Sequence, residues 1–121
     1  MIILLQMDIK ELADLEQYSI GRKIPIIGSE KGAWLLQKVK EIQPSSVLEI
    51  GTGNGYSGII LGSEGAELTT IDKSVPIIEE AKENFKKFKV NARILEGDGV
   101  EVTNQLVLKN KLFDLIFLDF E

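Results

Sequence analysis

Four times between Val47 and Asp119 a short apolar run closes on a carboxylate. Val47-Leu-Glu-Ile50 carries Glu49, and Glu67-Leu-Thr-Thr-Ile-Asp72 ends on Asp72. Ala92-Arg-Ile-Leu-Glu96 leads into Asp98, and Leu112-Phe-Asp-Leu-Ile-Phe-Leu118 leads into Asp119. Short runs rich in branched and aromatic residues read as strands. Between them, Ser57 to Gly62, Val75 to Phe88 and Val100 to Leu108 read as helices. Ser74 caps the second of these, with Pro76 in its first turn. Strands alternating with helices imply a parallel sheet with right-handed crossovers, covered on both faces. Ligands of such sheets sit beyond the carboxyl ends of the strands, where the four acids fall.

Two more helices precede the first strand. Asp8, with Glu11 three residues on, opens a helix to about Tyr18 with Ile9, Leu12, Ala13 and Leu15 on its apolar face. Gly21, Pro25 and Gly28 mark a loop. Ser29 caps a helix to about Ile42, where Trp34, Leu35, Lys38, Val39 and Ile42 recur by threes and fours, and Pro44 ends it. At that spacing Trp34 is expected in the core rather than as a stacking platform.

The first strand runs into Glu49-Ile-Gly51-Thr-Gly53-Asn-Gly55-Tyr-Ser57-Gly58. Alternate glycines turn the backbone tightly and let a ligand approach with no Cβ in the way, and the next helix offers free N–H groups. A bare turn would not need four glycines in eight residues. Gly53, Gly55 and Gly58 formally fit the dinucleotide fingerprint G-x-G-x-x-G, but Glu49 would repel a pyrophosphate and suits a cationic or hydroxylated ligand. That disfavours a nicotinamide oxidoreductase. Asp72, 21 residues after Gly51, can chelate both hydroxyls of a ribose or cap a helix. Asp98 can accept from an adenine amino group or form a turn, and Asp119 is either a site acid or a solvent-exposed one. Tyr56 is evenly balanced between touching a ligand and not. Together the four acids describe a pocket for a ribonucleoside carrying positive charge.

Composition narrows the chemistry. The 121 residues suit one domain. With 14 Lys+Arg against 19 Asp+Glu the net charge is −5, which argues against nucleic-acid binding through a general basic surface. Lys82, Lys86, Lys87 and Lys89 crowd one helix end, a solvated face in preference to an RNA patch. No cysteine or histidine is present, so thiolate nucleophiles, Ser-His-Asp triads and imidazole or thiolate metal sites are excluded. Met1 to Met7 is apolar but lacks a basic region and a cleavage site, so it reads as a short buried or frayed segment rather than a signal peptide. No stretch approaches the ~20 apolar residues of a spanning helix, and a cytoplasmic location without membrane contact is expected.

Val47-Leu-Glu-Ile-Gly-Thr-Gly-Asn-Gly-Tyr-Ser57 resembles the first motif of the class I S-adenosylmethionine-dependent methyltransferases. Thr69-Thr-Ile-Asp72, Glu96-Gly-Asp98 and Phe113-Asp-Leu-Ile-Phe-Leu-Asp119 resemble the next three. Gly55-Tyr-Ser57 and Ile26-Ile-Gly-Ser-Glu-Lys-Gly32 are similar to the catechol-type O-methyltransferases, in which the second segment covers the cofactor. The resemblance implies a Rossmann-like α/β fold with strand order 3-2-1-4. It implies S-adenosylmethionine as cofactor, its methionine part held by Glu49, the turn at Gly51, Gly53 and Gly55, and Ser57. Asp72 would bind the ribose, with Asp98 and Gly99 near the adenine. Asp119 matches a magnesium ligand where the family uses Mg2+. Methyl transfer is an in-line displacement governed by positioning, so it needs no histidine.

In that family a fifth strand and an antiparallel hairpin follow the fourth strand, whereas this sequence stops at Glu121, before the remaining metal ligands, the usual lysine and most of the acceptor pocket. Residues 1–45 are expected to form N-terminal helices and residues 46–121 the cofactor-binding half of a single domain. The expected function is an S-adenosylmethionine-dependent methyltransferase or its cofactor-binding part, with the acceptor open. The alternative is a catalytically silent binding module acting with a partner chain. The fourth strand, apolar on both faces and interrupted only by Asp114, has no expected neighbour on its outer side. A homo-oligomer or partner-chain contact is therefore expected there.

Overall fold

The computed structural model describes residues 7–119, so Met1 to Gln6 of the apolar terminal segment lies outside the described residues, as does Phe120. A 3-10 turn, Ile9–Leu12, leads into α1 (Ala13–Gly21). Then follow α2 (Gly28–Ile42), β1 (Ser46–Ile50), α3 (Tyr56–Leu61), β2 (Glu67–Asp72), α4 (Val75–Lys87), β3 (Ala92–Glu96), α5 (Gly99–Leu108) and β4 (Leu115–Leu118). The four strands pair in parallel in the order β3-β2-β1-β4, as expected.

Local chemistry sets most boundaries. Asp8 accepts from Lys10 N at 2.9 Å and tightens the entry into a 3-10 turn, from which the helix runs on to Gly21, past the expected Tyr18. Ser29 does not cap α2: that helix begins at Gly28 with no side-chain cap. It ends where Gln43 turns left-handed at φ 51° and donates its N–H to Val39 O at 2.8 Å. β4 begins three residues later than its apolar run. Asp114 Oδ2 there accepts from Ser45 N at 2.7 Å and Ser46 N at 3.3 Å, which ties the chain to the start of β1 before the ladder proper.

Two apolar layers flank the sheet. On one face Val47 and Leu68 pack with Leu35, Leu36 and Val39 of α2, Ile59 and Ile60 of α3, and Ala81 and Phe85 of α4. Gly58 makes the α3–α4 approach possible, since a Cβ there would lie 2.7 Å from the Phe85 ring. On the other face Leu48 and Ile71 pack with Val102 and Leu106 of α5, the buried members of a smaller cluster. Trp34 is not core: it is 62% exposed, with Lys38 Nζ 5.7 Å from its ring centroid. Leu35 and Val39 fix which face of α2 meets the sheet, and Trp34, about 100° around the helix from Leu35, turns outward.

Candidate functional site

The carboxyl ends of β1 to β4 converge on one side of the sheet. The chain winds from β1 through β2 to β3 and then crosses back to β4, so the winding reverses between β1 and β4, the place where such sheets leave a crevice. Gly51 has φ 99°, and a Cβ on it would lie 2.8 Å from Asp119 O. Glycine therefore serves the left-handed backbone and the close approach of the end of β4 together.

A recess of about 250 Å³ opens here, lined by Gly51, Asp72, Asp98, Gly99 and Asp119 among others. Its size falls just below the ~300–1,000 Å³ usual for ligand sites. Three of the four expected acids thus share one wall. Asp72 does two jobs. Its Oδ2 accepts from Gly53 N at 3.1 Å and clamps the glycine turn to β2, and its Oδ1 accepts from Ser74 N at 3.0 Å. A carboxylate has about four lone-pair sites, so both oxygens retain capacity for hydroxyl donors.

Asp98 caps α5, accepting from Val100 N at 3.0 Å and Glu101 N at 3.2 Å. Those backbone bonds, and Lys73 Nζ at 3.6 Å, hold its carboxyl below the usual range. Its turn role is therefore fulfilled, and its Oδ2 pairs with Lys73, which also lines the recess.

Glu49 does not join that wall. It lies beneath the turn with no exposure, Oε2 accepting from Ser57 Oγ and Oε1 from Thr70 Oγ1 at 2.8 Å. Thr70 Oγ1 is also 2.7 Å from Thr52 Oγ1. Burial pushes the Glu49 carboxyl up to about 8 against the pull of the two hydroxyls, with Asp119 and Asp72 raising it further.

Above the turn a second recess of only about 20 Å³ is closed by Pro25, Ile26 and Ile27 over Gly51, Gly53 and Ser57. The segment leading into α2 thus covers the glycine turn, in the place expected of it. Tyr56 points inward, 2% exposed, its hydroxyl donating to Glu16 Oε2 at 3.2 Å; burial and that carboxylate push it up to about 12.

The sequence did not single out the residues that pin the turn from outside. Asn54 Nδ2 donates to Ser19 Oγ at 2.7 Å, and Asn84 Nδ2 donates to Asn54 O at 2.8 Å, so α1 and α4 both hold the loop. A weak signal existed for Thr70, a hydroxyl beside Thr69 at the centre of β2, between Leu68 and Ile71. None existed for Ser19 or Asn84. Among the described residues no group of three or more acids is placed to hold a metal ion. The donor set present does not fit the Mg2+ that the resemblance implied at Asp119.

The turn, its acids and all of the sheet but Ser46 fall within residues 47–121, which match the family described as a methyltransferase domain. A protein-L-isoaspartate O-methyltransferase of Stenotrophomonas maltophilia is 33% identical over 67 residues, 55% of this chain and 30% of that protein. The O-methyltransferase from Bacillus cereus, solved in complex with S-adenosylhomocysteine, is 25% identical with a TM-score of 0.77, covering 97% of this chain and 56% of that one. The Streptomyces achromogenes O-methyltransferase TomG, solved with S-adenosylmethionine, shares the fold at 24% identity and a TM-score of 0.80, covering 97% and 56%. The chain spans about a third of the curated relative and just over half of each solved one. With its 3-2-1-4 sheet and glycine turn inside the matched span, the chain belongs to the methyltransferase-domain family, with the class I fold.

Proposed function

We propose that the chain binds S-adenosylmethionine at the carboxyl ends of its strands and serves as the cofactor-binding half of an O-methyltransferase. The observation that carries this reading is Asp72, which holds Gly53 N while its carboxylate lines the recess at the sheet's switch point. The turn and a ribose acceptor are thereby fixed by one side chain. Gly51, Gly53, Gly55 and Ser57 frame the methionine part, Asp72 takes the ribose, and Asp98 with Gly99 borders the adenine. Asp119 closes the mouth of the recess as an acid facing the sulfonium. Pro25 to Ile27, ahead of α2, act as the cover, and the strands from β1 to β4 with their loops as the cofactor half. The catalysis supplied by such a site is orientation: it presents the methyl group for in-line attack.

Calorimetric titration of the full chain with S-adenosylhomocysteine and with NAD tests this. The homocysteine ligand should bind and NAD should bind more weakly. Asp72→Ala should weaken binding by about 1–3 kcal/mol, the cost of unpaired ribose hydroxyls. Tighter binding of NAD would reverse the assignment.

A contact through the outer edge of β4 is part of the same reading. Among the described residues that edge pairs with no strand, and Ile116 and Leu118 beside it are 56% and 53% exposed. Unpaired apolar edges recruit further strands.

A further inference from the structure

Glu49 is an acid without solvent contact, set directly under the glycine turn, which lines the small recess closed by Pro25 to Ile27. Its two oxygens meet two hydroxyls, Ser57 Oγ and Thr70 Oγ1. A hydroxyl has one hydrogen to give, and an ionised carboxylate can only accept. If Glu49 were ionised, Ser57 would spend its hydrogen on Oε2 and meet a ligand only as an acceptor. If Oε2 carries a proton, the same contact reverses, and the Ser57 hydrogen is released toward the recess that Ser57 lines. On the other side Thr70 donates to Oε1, so Thr52 donates to Thr70. The hydrogen bonds then run one way, Thr52 to Thr70 to Glu49 to Ser57, an arrangement in which each bond polarises the next.

We propose that Glu49 works as a neutral acid that donates to Ser57 Oγ, so that the Ser57 hydroxyl meets an anionic group of the ligand as a donor. This rests on the cofactor reading above, in which that group is the ligand's α-carboxylate. Glu49 is then a positioning residue that acts through Ser57 and does not touch the ligand. Burial favours the neutral form, and the carboxylates acting on the group from neighbouring strands, Asp72 at the end of β2 and Asp119 after β4, favour it too. A glutamine would reproduce the pattern, its amide N–H donating to Ser57 and its oxygen accepting from Thr70.

Calorimetric titration with S-adenosylhomocysteine from about pH 6 to about pH 9 tests this on wild type, Glu49→Gln and Ser57→Ala. Glu49→Gln should bind within about threefold of wild type at neutral pH, while Ser57→Ala should lose about tenfold. Wild-type affinity should fall above about pH 8 as the acid ionises, and Glu49→Gln should stay flat there. A Glu49→Gln chain as weak as Ser57→Ala, or wild-type affinity that rises as Glu49 ionises, would overturn the role. Infrared difference spectra of wild type against Glu49→Gln, without ligand, read the acid directly. A protonated-carboxyl band at neutral pH is expected, and carboxylate bands in its place would contradict it. Failure of wild type to bind at every pH overturns the cofactor reading, whereas wild-type binding with loss in Glu49→Gln overturns the Glu49 role alone.

Discussion

β1 and β4 lie side by side, in register from Val47 opposite Leu115 to Ile50 opposite Leu118, yet β1 buries its three central residues and β4 buries none. β1 hides a carboxyl, Glu49, without exposure, while β4 leaves Ile116 and Leu118 more than half exposed. Neighbours, not hydrophobicity, make the difference. β1 has β2 on one side and β4 on the other, α2 and α3 over Val47, and α5 over Leu48. Among the described residues β4 is paired on one side, and its Leu115 and Phe117 pack against the main core. An apolar strand announces that it needs cover; topology decides where cover is present.

The register pair Leu48 and Ile116 puts that contrast to the hardest test. Leu48→Ala should lose about 2–5 kcal/mol of stability, the usual cost of emptying a buried leucine site. Ile116→Ala, its partner across the ladder, should lose less than about 1 kcal/mol, near the range of surface changes. Chemical denaturation of both variants measures this, and equal losses would mean that β4 is covered as fully as β1.

An effect of comparable size, spread over a pH window, concerns Glu49. Its acid is raised from 4.5 in the unfolded chain to about 8 in the fold. The folded state therefore holds the proton more tightly, and the group's contribution is full below about 4.5 and is lost as pH rises to about 8. Glu49→Gln, which cannot ionise, should gain on wild type across that window by up to about 1.4 kcal/mol per pH unit. Parallel stability curves for the two would show that Glu49 is ionised throughout.

The β4 edge gives the smallest effect on the fold itself. Ile116→Lys combined with Leu118→Lys should change unfolding free energy by only about 0.5 kcal/mol, yet lower the apparent mass at high concentration if the edge joins chains. Light scattering with size exclusion reads this. A wild type monomeric at every concentration would remove the edge contact.

Much of the fold was legible because its strands are bracketed by turn residues. Glu67–Asp72 and Ala92–Glu96 begin and end as expected, with Gly65 before the first and Gly97 after the second. β4 was overextended because a run of apolar residues does not reveal that Asp114 ties back to Ser45. Trp34 was misplaced because periodicity shows that a helix has an apolar face, while neighbouring elements choose which residues form it. In the site, the turn and Asp72 were legible as a local motif. Glu49's inward place was not, because Thr70, the partner of its Oε1, lies 21 positions along the chain. The Asn54–Ser19 and Asn84–Asn54 bonds likewise join residues 35 and 30 positions apart, and no local pattern encodes them.

The central claim, that the strand ends form the cofactor site, is tested most directly by amide-resolved NMR during titration with S-adenosylhomocysteine. The amides of Gly51, Gly53, Lys73 and Gly99 should shift together and saturate at one ligand per chain, with Trp34 and Leu108 unmoved. A cleft of about 700 Å³ between α1 and α4, lined by Asp14, Tyr18, Glu83 and Phe88 among others, is the larger cavity. Shifts confined to that cleft, with the glycine turn silent, would contradict the account.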